Sequence, residues 1–71
     1  MELKEITVHS SSEVESMLVT LRGMQLRREL KIINGSFDFH GVLDAEFKVK
    51  NSNDRWRVYC VEQGGGYLKK I

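Results

Sequence analysis

The apolar positions of the chain change period twice. Over residues 3–9 they alternate weakly, with Ile6 and Val8 on one side and Glu5, Thr7 and His9 on the other, which predicts a short strand. Val14, Met17, Leu18 and Leu21 then recur at helical spacing and fall in one narrow stripe. Ser12, with Glu15 three positions on, has the spacing of a capping box, in which two orphan backbone donors are satisfied together. Glu13 and Glu15 suit the positive end of the helix dipole and Arg22 the negative end. Gly23 is the expected left-handed stop. A helix running on to about Arg28 is the alternative, because the residue types that follow Gly23 form helix readily.

From Met24 the period becomes two. Met24, Leu26, Leu30 and Ile32 share a face that Arg28 interrupts, and Asn34-Gly35 predicts a two-residue type I′ hairpin loop. That loop sets Ile32 opposite Phe37, Leu30 opposite Phe39 and Leu26 opposite Leu43, apolar against apolar. It also sets Lys31 opposite Asp38 and Glu29 opposite His40. Phe37, Phe39, Leu43, Ala45, Phe47 and Val49 are all odd-numbered, so residues 36–50 read as one long strand bent near Gly41. A turn over residues 51–54 sets Val49 opposite Trp56, Phe47 opposite Val58 and Ala45 opposite Cys60. The next strand runs from Arg55 to about Glu62 and is broken by Gly64-Gly65-Gly66; residues 67–71 are either a returning edge strand or a loose tail.

These segments predict an α+β fold in the order β-α-β-β-β(-β), with one helix packed on one face of a bent antiparallel meander sheet. Residues 1–71 make a single domain. The first strand joins an edge, and a crossover through the helix makes it parallel to its neighbour.

Composition narrows the function. The chain has 71 residues, too few for a second core, and a domain this small is marginally stable alone, which favours association. Eleven Lys+Arg against ten Asp+Glu give a net charge of +1, so any electrostatic function lies in how the charges are distributed. The one cysteine, Cys60, excludes an intramolecular disulfide. The first residues lack the apolar run of a signal peptide and no stretch approaches a membrane span, so the expected compartment is cytoplasmic.

Catalytic chemistry finds little support. Cys60 falls on the apolar face, where a thiol is inert, and His40 falls on the opposite one. Ser10, Ser11 and Ser12 are accounted for by capping. Gly64-Gly65-Gly66 lacks the lysine and following helix of a phosphate-binding loop. Asp38 and His40 beside Glu29 would form an open metal site without a second shell, and no metal or other cofactor is expected. Trp56 belongs to the core set, and no enclosed pocket for a small-molecule substrate is expected.

The outward face carries the candidates. The predicted register sets Lys48 opposite Arg57 and Lys50 opposite Arg55, four cations at one end of the sheet, with Tyr59 next along the strand. Lys69 and Lys70 extend the patch if the tail folds back. Val42 and Val61 also point outward and, brought together by the bend, form a small apolar patch beside Tyr59. The leading expectation is a non-catalytic binding module that associates with a protein partner, or with itself as a homodimer. It would do so through a sheet edge or through Val42, Tyr59 and Val61. The alternative is nucleic-acid binding through Lys48, Lys50, Arg55, Arg57 and Tyr59.

Overall fold

The computed structural model describes residues 3–71. Its elements are β1 (Ile6–Val8), α1 (Ser11–Leu26), β2 (Leu30–Ser36), β3 (Val42–Val49), β4 (Arg55–Val61) and β5 (Gly66–Lys70). The fold is α+β, as the patterning predicts.

The helix is longer at both ends than expected. Ser10, not Ser12, is the N-cap: its backbone is extended, with φ −142° and ψ 159°, and its hydroxyl accepts the Glu13 N–H at 3.3 Å. The Glu13 carboxylate reaches back to the N–H of His9 at 3.2 Å. The serine-to-glutamate spacing recurs two positions earlier, and the earlier copy is used because it adds a further half turn of helix.

Gly23 does not stop the helix. Met24 continues the stripe begun by Met17 and Leu21 and is only 1% exposed, so burial of its side chain outweighs the cost of a mid-helix glycine, about 1 kcal/mol. Arg22 is therefore not in the last turn; its guanidinium donates to the Phe37 carbonyl at 2.9 Å. The helix ends beyond Arg27 with Arg28 at φ 60°. Arg28 N–H bonds the Gln25 carbonyl at 3.0 Å and Glu29 N–H bonds the Met24 carbonyl at 2.8 Å. These are the two bonds of a Schellman motif, with arginine where glycine is usual.

The sheet is antiparallel throughout, with strand order β1-β5-β4-β3-β2. Residues 67–71 are not a loose tail: β5 lies between β4 and β1. The first strand is at an edge but antiparallel to its neighbour, because the returning β5 occupies the place beside β4.

The expected hairpin at Asn34-Gly35 does not form. Both residues lie inside β2, the chain turns instead over residues 37–41, and the long strand over 36–50 is two elements. A bulge at Ile33 makes this possible. It resets the alternation so that Leu30, Ile32 and Gly35 oppose Val49, Phe47 and Ala45. Gly35, at φ 78°, is needed there because a Cβ would stand 2.2 Å from the Asp44 carbonyl oxygen. The freed Phe37 is buried, with its ring edge-on to Phe47 at 5.7 Å and 78°. The predicted Lys31–Asp38 and Glu29–His40 pairs are consequently absent; Lys31 faces Lys48.

Across β3 and β4 the register differs from expectation by two residues. Phe47 opposes Trp56, Ala45 opposes Val58 and Leu43 opposes Cys60. A shift of two preserves which face each side chain takes. All six are therefore buried, with Trp56 in the core as expected. They form one cluster with Val14, Met17, Leu18, Leu21 and Met24 of the helix.

Three substitutions test the two helix ends. Ser10→Ala costs about 1 kcal/mol of unfolding free energy, whereas Ser12→Ala stays within about 0.5 kcal/mol. Arg28→Gly raises stability by up to about 1 kcal/mol, because it relieves a left-handed non-glycine residue. Urea melts of the three variants check both.

Candidate functional site

With the helix on one face, the other face of the sheet is open, and four cross-strand rows of side chains occupy it. The first row is Val42 opposite Val61. The second runs Thr7, Tyr67, Tyr59, Asp44 and Ser36 across all five strands. The third is Lys69, Arg57, Glu46 and Asn34, and the fourth is Arg55, Lys48 and Lys31.

The apolar candidates come together. Val42 and Val61 are direct partners, Val42 is 46% exposed, and Tyr59 follows on the same face of β4. Tyr59 is half-buried against Tyr67, with ring centroids 6.0 Å apart and planes within 27° of each other. Lys69 Nζ lies 5.3 Å from the centre of the Tyr67 ring, a cation–π distance.

The basic candidates are rearranged. Lys48 opposes Arg55, not Arg57. Arg57 sits opposite Glu46 and makes a two-pronged bond to Asp44, Nε to Oδ1 and Nη2 to Oδ2, both at 3.2 Å. That bond raises the guanidinium's affinity for its proton, and the cation is already partnered by the Asp44 carboxylate. Lys50 lies beyond the ladder, in the turn, where its backbone N–H bonds the Glu29 carbonyl. The Arg27 guanidinium beside Glu29 holds that carboxyl below the usual carboxylate range.

The fourth row is different in kind. Arg55, Lys48 and Lys31 are neighbours on three adjacent strands, all exposed, and among the described residues none is within ion-pair distance of a carboxylate. Like charges facing each other across a ladder destabilise it by a few tenths of a kcal/mol a pair. An anion laid across the row removes that repulsion.

Sequence reasoning missed Lys31 and Tyr67; Lys69, expected to extend the patch if the tail folds back, does so through the pairing of β5 with β4. A hairpin at Asn34-Gly35 pairs Lys31 with Asp38 and so conceals it. Tyr67 and Lys69 carry the same alternate spacing as Arg57 and Tyr59, which was the available signal. Lys70 does not join them: it points to the helix side, 5.8 Å from the Trp56 ring and 3.5 Å from the Asp54 carboxylate.

Other chemistry is poorly placed. Glu29 is engaged by Arg27, and no group of three potential metal ligands occurs among the described residues. Gly64 packs on the start of the helix, where a Cβ would lie 2.7 Å from the Ser10–Ser11 backbone, so its role is tight packing. An open groove of about 530 Å³ lies between α1 and Phe39, lined also by Arg22, Glu15 and Glu62. No helix is long and apolar enough to cross a membrane among the described residues.

The edges of the sheet are guarded. β2 carries the bulge, which breaks the flat ladder that an added strand needs. β1 is three residues long, and beyond it the Glu5 carboxylate takes the Lys70 N–H at 3.2 Å.

No protein-family model matches the sequence, and neither a curated protein nor a solved structure shows significant similarity to it.

Burial pushes the Cys60 thiol up from its ordinary pKa. A raised folded-state value means that the protonated thiol contributes stability below the ordinary thiol range. That contribution is lost as pH rises through the folded value. Thiol-reactive dye should therefore label native Cys60 slowly and the unfolded chain fast, and Cys60→Ala should flatten part of the alkaline loss of stability. Rapid labelling of the native protein would contradict the burial.

Proposed function

We propose that the protein is a small non-catalytic binding module that takes up a nucleic-acid strand on the open face of its sheet. The supporting observation is the row Arg55, Lys48 and Lys31: three exposed cations side by side without a carboxylate partner among the described residues. Lys69 stands one row away and Lys50 at the adjoining turn. Phosphates satisfy such a row, and each contact releases a counterion. With a net charge of only +1, local arrangement and not overall charge supplies the attraction.

The non-catalytic part of the reading rests on Cys60, which is fully buried with its thiol held protonated, and on the outward position of His40 in the loop over residues 37–41.

A second reading has its own observation. Val42 and Val61 meet as cross-strand partners beside Tyr59, an apolar end of the same face that suits a protein partner or a second copy of the chain. Association of that kind would make the protein an oligomer at micromolar concentration in light scattering, and Val42→Lys would dissolve it. A guarded sheet edge is the weaker route.

Fluorescence anisotropy with labelled oligonucleotides tests the first reading. Binding should weaken with salt, with a log–log slope of about −2 for three phosphate contacts on a single strand. Charge reversal of Lys31, Lys48 and Arg55 to Glu should abolish it, with circular dichroism verifying the fold. No binding by the unmutated protein at low salt would overturn the proposal.

A further inference from the structure

Resting on the nucleic-acid reading, we infer that the strand is single and that its bases stack on the Tyr59–Tyr67 pair while its phosphates follow Lys69, Arg55, Lys48 and Lys31.

The path of the cations argues for this. From the tyrosine row the positive charge runs first along β4 and β5, through Lys69 beside Arg57, to Arg55. It then turns across the strands, through Lys48 to Lys31. Inside the corner lie Glu46 and Asp44, which repel phosphate except where Arg57 neutralises Asp44. The trail is therefore bent around an acidic corner. The arm from Tyr59 to Arg55 covers four residues of strand, about 13 Å. A duplex is stiff, with a persistence length of about 50 nm, and does not turn a corner within that distance. A single strand does.

The tyrosines supply the second argument. They are direct partners on neighbouring strands, with centroids 6.0 Å apart, and among the described residues no other element covers them on the open face. Both are half-buried, each ring shielding part of the other, and a duplex offers them only base edges, its base faces being stacked within the helix. Bases freed from pairing reach them without that constraint, and base–aromatic stacking tolerates any sequence. Lys69, 5.3 Å from the Tyr67 ring centre, stands where the phosphate adjoining a base stacked there would pass.

The test compares a labelled single strand, the same sequence as a duplex, heparin and polyglutamate as ligands. The unmutated protein should prefer the single strand to all three. Tyr59→Leu with Tyr67→Leu should weaken single-strand binding about tenfold or more and leave heparin binding unchanged. Tyr59→Phe with Tyr67→Phe should retain the affinity, since the ring stays. If the double leucine variant does not fold, each single leucine variant gives the same readout. A duplex or polyglutamate bound as tightly as the single strand would overturn the inference. So would a leucine variant with unchanged single-strand affinity. In either case the cation-row variants still decide the broader reading, which fails separately if no nucleic acid binds at all.

Discussion

Leu43, Ala45 and Phe47 of β3, held between β2 and β4, are at most 2% exposed, and the remainder of the fold is arranged around keeping them dry. Strand geometry sends alternate side chains to opposite faces, so burying these three sends Val42, Asp44, Glu46 and Lys48 outward. Partners on β4 must alternate in phase: Trp56, Val58 and Cys60 go in, and Arg55, Arg57, Tyr59 and Val61 go out. The helix stripe closes the inner side. The outer side is thus defined by exclusion, and its charges and aromatics are displayed because the core requires their neighbours elsewhere.

That dependence explains how much could be read beforehand. Face is a parity property, and parity survives a register error of two, so the placement of Lys48, Arg55, Arg57, Tyr59, Val42 and Val61 on one surface was legible although Phe47 was paired with the wrong residue. Pairing itself depends on turn length, which residues 51–54 do not encode sharply. Asn34-Gly35 misled more seriously. The positive φ that Gly35 adopts at 78° is the conformation a hairpin loop demands, but here it serves a close approach to the Asp44 backbone within β2. Local chemistry gave the backbone angle correctly and the topology wrongly. Burial of Phe37 against Phe47, a long-range contact, selects between the two.

The helix end shows the same competition. Gly23 has the right residue type for a stop and Arg28 the wrong one, yet the helix stops at Arg28. Burial of Met24, which requires the extra turn, dominates the local preference for glycine. For the candidate site, the consequence was an incomplete set. Lys31 was hidden by the misplaced turn, and Tyr67 and Lys69 lay in a segment too short for its alternation to be conclusive. The structure adds Lys31 and Tyr67, brings in Lys69 by docking the last strand, and withdraws Arg57, which Asp44 occupies.

The pairing of Ile6 with Leu68 joins strands that lie near opposite ends of the sequence. A ribosome delivers Leu68 long after Ile6, so β1 waits without a partner while the helix and the β2–β3–β4 meander can already assemble from local contacts. Closing this sheet is therefore the longest-range step of folding, and loop-closure entropy makes it a late one. The tyrosine pair straddles β4 and β5. It exists only once the C-terminal strand has docked, so the surface assigned to ligand is among the last parts of the molecule to form.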